Sequence, residues 1–409
     1  MRRSTFVLCA AALIELAAGA AWADEWSVES NVTAKATYTD NLDLLPNVTN
    51  PAEIYTISPS ARFSNRTEAH ELGAELRVDV NRYPGKPQLN TVGYALNGLG
   101  RWLDERNTYG LTLTAVRDTT LESELSTTGV VQKRAQRTLV GASPYWWYSL
   151  SERLQAKLDY RYSQVFYEPG SGLIDYITQG AKAGLQQQLS ERASIGASVS
   201  FGYFWTSASN TGVETVSANA DYDATERLKL SAELGAQRTR TETRQQFLVC
   251  PLTGFINDPI CAFFGVDLEQ VTATQRTDDH AWVGRLLATY LLEAGSFNFA
   301  VIRDLNPTGN GLLVRTDHLV LGYKKTLQER LSLNADYTAL YSVYLGGAYN
   351  RVYYQKAALG MRWQADPYLA LGTGYARTEQ HNSAQSGTAH ANEIFVNLVY
   401  TWPKVSVSR

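Results

Sequence analysis

Apolar residues occupy every second position through most of this 409-residue chain. Leu72, Ala74, Leu76, Val78 and Val80 are separated by glutamate, glycine, arginine and aspartate. The same period recurs in the segments 154–162, 193–205, 228–236, 331–341 and 394–402. A period of two places alternate side chains on opposite faces of a β-strand, and a helical period fits none of these segments. The sequence therefore predicts strands with one apolar face and one polar face.

The predicted strands number about eighteen, and short connections alternate with long ones along the chain. The short connections repeat a Glu-Arg pair, at 105–106, 152–153, 191–192, 226–227 and 329–330. The long connections are 41–52, 83–90, 119–135, 168–174, 206–211, 242–278, 305–311, 343–350 and 381–390. Short turns at one end and long loops at the other are typical of a membrane barrel. We predict an all-β, transmembrane, antiparallel up-and-down β-barrel of about 18 strands, with 16 as the alternative.

Composition agrees with a wall that faces lipid on one side and water on the other. Only 19% of the residues are charged, yet mean hydropathy is −0.25, because apolar and polar positions alternate. The chain has 24 Tyr and 9 Trp, and many lie on the apolar parity near strand ends, as in an interfacial girdle. A soluble β-sandwich of this length would need two domains, and the sequence shows no linker that would separate them. The net charge of −3 does not indicate a nucleic-acid partner.

The N-terminus has the features of a secretory signal. Arg2 and Arg3 precede an apolar run from Phe6 to Ala21, and 21–23 reads Ala-Trp-Ala. We predict a signal peptide at 1–23, a barrel at 24–402 and a short periplasmic tail at 403–409. The expected location is the outer membrane of a Gram-negative cell, with both termini in the periplasm.

The polar parity of the strands carries charges of both signs. The candidate pore-lining residues are Glu75, Arg77, Asp79, Lys157, Asp159, Arg161, Arg285, Asp317, Asp336, Lys356 and Arg362. Opposite charges on neighbouring strands are expected to pair, whereas a strongly selective pore more often shows one sign. Tyr145, Trp147 and Tyr354 share this parity. Such a wall favours a hydrated, neutral or weakly charged chain, whose sugar rings stack on aromatic residues.

The long 242–278 connection is the candidate constriction. It contains Cys250 and Cys261, which are candidates for a disulfide in an exported protein. The first strand follows the cleavage site closely, which leaves no room for a separate plug domain. The alternative is an ordinary extracellular loop that the disulfide stiffens. The segment is also long enough to contain a further short hairpin.

Catalysis is not indicated by the sequence. The five histidines have no serine or carboxylate partner at a spacing that suits nucleophilic catalysis. The residues form no metal-ligand cluster and no phosphate-binding loop. We predict no catalytic residues, no metal and no cofactor.

Several motifs together are similar to the β-barrel porin-2 family of Gram-negative outer membranes. They are the opening 37–42 (TYTDNL), the Ser-Pro strands at 57–60 and 142–145, the stretch 303–311 (RDLNPTGNG), the Glu-Arg turns and the ending 398–402 (LVYTW). Members are often encoded beside exopolysaccharide-export loci. The resemblance implies a passive outer-membrane channel without catalytic residues. The tail at 403–409, after the terminal aromatic residue, departs from the family pattern.

Three functions fit these observations. The first is a passive conduit that exports a surface or secreted polysaccharide together with a periplasmic apparatus. The second is a general or small-solute diffusion porin. The third is a structural or adhesive surface barrel with a closed lumen. The expected partners are outer-membrane lipid, the outer-membrane assembly machinery, and a periplasmic polysaccharide-export protein with its glycan.

Overall fold

The structure of the protein is a computed structural model, which describes residues 25–130, 133–253, 255–256, 259–264, 266–345, 351–383 and 387–408. The predicted signal peptide at 1–23 lies outside the described residues. Eighteen long strands form one sheet, in which each strand is antiparallel to its neighbours, and the first strand pairs with both the second and the eighteenth. The sheet is therefore a closed barrel, which confirms the predicted fold and the count of 18.

The strands follow chain order around the barrel. They are β1 Glu25–Thr39, β2 Ala52–Arg66, β3 His70–Arg82, β4 Thr91–Leu103, β5 Asn107–Thr119, β6 Gln136–Ser149, β7 Leu154–Tyr167, β8 Tyr176–Ser190, β9 Ala193–Thr206, β10 Ser209–Asp223, β11 Leu228–Val249, β12 Glu269–Leu292, β13 Gly295–Pro307, β14 Leu313–Gln328, β15 Leu331–Tyr344, β16 Arg351–Gln364, β17 Leu369–Asn382 and β18 Thr388–Thr401. Two α-helices, α1 Thr120–Thr128 and α2 Pro259–Phe263, a 3-10 turn at Pro87–Leu89 and a short strand β19 Val405–Ser408 complete the described elements.

The register explains the period of two. Leu76 on β3 lies opposite Leu96 on β4, and both are more than 40% exposed on the outside of the barrel. Asn81, on the other parity of β3, is buried on the inside. Antiparallel partners that lie directly opposite each other share a face. Each strand can therefore be assigned an outward and a luminal set of residues by its pairing.

The short turns are fixed by local side-chain hydrogen bonds. The Ser151 hydroxyl accepts the backbone N–H of Leu154 at 3.1 Å, and the Thr225 hydroxyl accepts that of Leu228 at 3.0 Å. A hydroxyl that accepts such a bond stabilises a tight reversal of the chain. The repeated Glu-Arg signature thus marks short turns at one rim of the barrel.

The C-terminal tail continues the sheet. Residues Val405–Ser408 pair with the beginning of β1, where Glu25 lies opposite Ser408. Pro403 separates this short strand from β18, because proline cannot donate a ladder hydrogen bond. The segment expected as a tail is therefore hydrogen-bonded to the first strand.

The largest difference from the expected strands is at β11 and β12. β10 pairs with β11 only as far as Thr243, and β13 pairs with β12 only as far as Gly284. Beyond these points β11 and β12 pair with each other alone, up to Val249 opposite Glu269. The segment predicted as the 242–278 loop is thus largely a two-stranded ribbon, which we call the outer ribbon.

A disulfide closes the tip of the outer ribbon. Cys250 and Cys261 are bonded to each other, and both are fully buried. Around them, Phe255, Phe263 and Phe264 are between 66 and 84% exposed. The paired residues of this segment continue two strands of the barrel wall, which favours the alternative of a loop that the disulfide stiffens. The described residues of the segment contain no additional barrel hairpin.

Candidate functional site: an occluded lumen

The register places ten of the eleven predicted pore-lining residues on the luminal face. They are Glu75, Arg77, Asp79, Lys157, Asp159, Arg161, Arg285, Asp336, Lys356 and Arg362. The eleventh, Asp317, faces outward. It lies opposite Tyr341, which in turn lies opposite the exposed Tyr353 on the outside of the barrel. The assignment of Asp317 to the luminal face from the sequence is therefore wrong.

Oppositely charged side chains pair across the luminal wall. Lys182 contacts Glu233 at 2.8 Å, Arg62 contacts Glu75 at 2.6 Å, and Arg101 contacts Glu71 at 2.7 Å. These pairs lie on different strands and hold the polar wall in a fixed arrangement. The wall therefore shows no excess of one charge over these strands.

A segment between β5 and β6 enters the barrel. We call residues 119–135 the inner loop; 131 and 132 are outside the described residues. Its helix α1 begins after Thr119, whose backbone N–H is accepted by the Glu122 carboxylate at 3.0 Å. It ends at Gly129, which has a left-handed φ of 68° and donates its N–H to the Leu125 carbonyl at 3.0 Å. Threonine with glutamate three residues later, and glycine after the last turn, are helix-end signals.

Glu124 connects the inner loop to two other parts of the barrel. Only 4% of this residue is exposed. One carboxylate oxygen accepts the phenol of Tyr167 on β7 at 2.5 Å, and the other accepts the backbone N–H of Gly309 at 3.3 Å. Burial raises the pKa of Glu124 above its usual range, although the Tyr167 hydrogen bond opposes that shift. The buried site therefore stabilises the protonated form of Glu124 more than an aqueous environment does.

The other end of α1 is bound to the opposite wall. The Ser342 hydroxyl on β15 donates to the Thr128 carbonyl at 2.6 Å, and the Gln380 amide on β17 donates to the Gly129 carbonyl at 2.5 Å. β15 is nine strands from β6 in a circle of eighteen. The inner loop therefore spans the lumen from one side to the other.

Apolar side chains pack on both sides of this crossing. The first cluster, beside Glu124, comprises Val165, Tyr167, Tyr176, Phe204 and Leu313. The second comprises Leu44, Leu340, Tyr354 and Ala389, against which Leu125 of α1 packs. Buried apolar clusters inside a barrel exclude water at that level. The inner loop and the residues that surround it therefore obstruct the lumen at this level.

The loop between β13 and β14 completes the occlusion. Its Gly309 carbonyl accepts the backbone N–H of Ile174, and its Gly311 carbonyl accepts the Ser209 hydroxyl, both at 2.8 Å. Thr308 in the same loop is 2% exposed. This hairpin leaves β12 and bends inward, whereas the outer ribbon continues beyond the barrel.

Open space remains between the inner loop and the rim of the short turns. A cavity of about 590 Å³ lies beside α1 and is lined by Lys35, Glu122, Arg134, His318, Lys356 and Glu393 among others. The buried Nε2 of His318 has no hydrogen-bond partner among the described residues. A second cavity of about 310 Å³ lies against Trp147, Lys157, Asp159, Lys182, Glu233 and Arg285. Charged side chains of both signs contribute to the lining of both cavities.

The second cavity includes an aromatic surface on the wall. The rings of Tyr145 and Trp147 are 4.7 Å apart, and the indole N–H of Trp147 donates to Asp159 at 3.4 Å. The Lys157 ammonium lies 5.0 Å from the Trp147 ring. A side-chain atom at Gly110 would overlap the Tyr145 ring, so glycine allows the ring to lie flat on the wall.

The kinds of side chain on the exterior, at the rims and in the interior of the barrel together identify the class of protein. Aromatic side chains are exposed at both rims, with Trp102, Trp146 and Trp363 near the rim of the Glu-Arg turns and Trp205 and Tyr353 near the opposite rim. An apolar outer band between aromatic girdles, around a polar interior, is characteristic of transmembrane β-barrels of the bacterial outer membrane. The protein is a barrel of this class. None of the described helices is long and apolar enough to cross a bilayer.

No protein-family model and no curated protein matches the sequence. Solved structures of similar fold include the ferric-catecholate import receptor Fiu from E. coli K12, with 11% identity, a TM-score of 0.47, and coverage of 91% of this chain and 81% of that one. OccK3 (OpdO) of Pseudomonas aeruginosa has 11% identity, a TM-score of 0.46, and coverage of 92 and 95%. OccAB4 of Acinetobacter baumannii has 11% identity, a TM-score of 0.45, and coverage of 94 and 98%. At these values the likeness concerns the fold alone.

Proposed function

We propose that this protein is a gated channel in the outer membrane of a Gram-negative cell, with both termini in the periplasm. The observation that carries the proposal is the inner loop, which crosses a polar lumen and is held there by a few hydrogen bonds. A barrel of eighteen strands encloses more space than its own wall side chains fill. Release of the inner loop from Ser342 and Gln380 would therefore open an aqueous path. Such an opening needs no change in the strands.

Solute flux into proteoliposomes tests channel function. Purified protein should admit small neutral solutes faster than empty liposomes do, and a variant without residues 121–130 should admit them faster still. Flux equal to that of empty liposomes for both proteins would rule out a channel and favour a structural or adhesive barrel with a closed lumen. The exposed phenylalanines at the tip of the outer ribbon are the observation that favours that alternative.

We further propose that the transported molecule is a hydrated, weakly charged polysaccharide. The flat pair of Tyr145 and Trp147 offers ring faces for sugar stacking, and Asp159 and Lys157 offer an acceptor and donors for hydroxyl groups. The similarity of several motifs to the porin-2 family supports the same cargo. A periplasmic export protein would then deliver the glycan, and Glu75, Arg77, Asp79 and the other luminal charges would line its path.

A deletion strain distinguishes export from general diffusion. Under the export proposal, the strain loses surface polysaccharide while its uptake of small solutes is unchanged. Complementation with Trp147→Ala should restore less glycan than complementation with Trp146→Ala, whose side chain faces lipid on the same strand. Intact glycan together with reduced solute uptake would support the small-solute porin instead.

A further inference from the structure

A groove of about 800 Å³ crosses the outer face of the barrel from β9 to β14. We call it the outer groove. Part of its lining is apolar and exposed, with Val199, Phe201, Val216 and Trp282 all between 44 and 62% accessible. These side chains belong to the lipid-facing parity. The groove therefore begins within the apolar band of the wall.

Towards the outer ribbon the same face becomes strongly charged. Six arginines and four carboxylates point outward there: Arg238, Arg240, Arg244, Arg276, Arg303 and Arg315, with Glu214, Glu242, Asp278 and Asp317. This part of the surface has a positive excess, unlike the balanced luminal wall. Arginine is well suited to phosphate because its planar guanidinium can donate two parallel hydrogen bonds.

Two arginines of the outer groove differ in their partners. The Arg303 guanidinium lies 3.9 Å from the centre of the Trp282 ring and is paired with Asp317. Arg315 lies next to it in the groove and has no carboxylate within 4 Å among the described residues. A half-buried arginine without an acidic partner is free to bind an external anion.

We propose that the outer groove binds a phosphorylated lipid of the outer leaflet. Its phosphate would contact Arg315, with Arg303 beside it, and its acyl chain would lie along Val216 and Phe201. The change from apolar to cationic lining suits an amphiphile with an anionic headgroup, and a free phosphate would leave the apolar part uncovered. The site lies on the exterior, so it is independent of whether the lumen conducts.

Binding of lipid A to the purified full-length protein in nanodiscs tests this proposal. Native mass spectrometry should show tight binding of bis-phosphorylated lipid A and weak binding of the dephosphorylated form. Arg315→Ala should weaken binding of the phosphorylated lipid by about tenfold, since it removes a charge-assisted contact. Arg377→Ala is the matched control, because Arg377 is an exposed outward arginine on β17. It should bind like the wild type.

Three results would overturn the proposal. One is equal affinity of the wild type for phosphorylated and dephosphorylated lipid. Another is the same loss of affinity in Arg315→Ala and Arg377→Ala. The third is displacement by inorganic phosphate at the concentration at which the lipid itself binds, which would indicate a free-anion site. Resistance to unfolding in SDS at room temperature verifies each barrel, and Arg315→Gln replaces the alanine variant if that variant does not fold.

Discussion

Inside the barrel, the carboxylate of Glu124 accepts the phenol of Tyr167 at 2.5 Å. The two residues are 43 positions apart and belong to different parts of the molecule, an inner loop and a wall strand. Their hydrogen bond fixes one end of α1 at a level where apolar clusters exclude water. The closed state of the lumen therefore depends on a buried acid.

The first prediction concerns pH. The closed site raises the pKa of Glu124 above its ordinary value of 4.5, so the closed loop binds a proton more tightly than a released, solvated loop does. Closure is therefore favoured at low pH. The free energy that favours the closed state decreases as the pH rises from 4.5, the ordinary pKa, through the raised pKa of Glu124 in the closed state. Open probability in planar bilayers should increase over this range.

Glu124→Gln is the control for the pH prediction. The amide has the neutral charge of the protonated acid and can still accept the Tyr167 phenol. The variant should remain mostly closed, and its open probability should no longer change with pH over that range. A pH response equal to that of the wild type would show that another group is responsible.

The second prediction concerns Ser342. Ser342→Ala removes the hydroxyl that donates to the Thr128 carbonyl and leaves that buried carbonyl without this donor. The loss should cost the closed state about 1 kcal/mol, which is about a fivefold rise in the ratio of open to closed channels. Single-channel recording measures this ratio. Ser198→Ala is the matched control, because Ser198 is a luminal serine whose hydrogen bond to Ser217 lies away from the inner loop.

The third prediction compares two glycines with similar backbone angles. Gly129 and Gly170 have φ values of 68° and 78°, which disfavour alanine equally. A Cβ at Gly129 would also lie 2.8 Å from the Cβ of Tyr354, whereas one at Gly170 has nothing within 4 Å. Gly129→Ala should therefore displace the inner loop and raise the open probability, and Gly170→Ala should change it little. Equal effects would argue against close packing of α1 on β16.

The fourth prediction concerns the disulfide. Double substitution of Cys250 and Cys261 by serine should leave conductance unchanged, because the bond lies at the tip of the outer ribbon. It should loosen the tip by about 2 to 3 kcal/mol, on the scale for a short closed loop. Limited proteolysis should then cleave the tip faster. A change in conductance would instead indicate that the outer ribbon constricts the lumen.

The strands could be predicted from the sequence because alternate residues of each strand face the lipid and the lumen. Apolar and polar residues therefore alternate along the chain with a period of two. The outer parts of β11 and β12, at 242–249 and 269–278, escaped prediction, since 242–246 reads ETRQQ and lies beyond the apolar band. Asp317 was assigned to the wrong face for a related reason. It lies close to the rim, where polar residues occupy both parities, as Asp317 and His318 do.

The larger omission from the sequence-based prediction was the position of the inner loop inside the barrel. Its helix-end signals at Thr119, Glu122 and Gly129 are present in the sequence, but they predict a helix and not its position. That position depends on contacts such as Ser342 with Thr128, which join residues 214 positions apart. No local pattern encodes a contact of that kind.

The central claim is that the inner loop closes an otherwise open lumen. Planar-bilayer conductance of the wild type and of a variant with residues 121–130 replaced by a short Gly-Ser linker tests it most directly. We expect small, intermittent currents for the wild type and a larger, steady conductance for the variant. Currents of equal size in both proteins, or none in either, would contradict it.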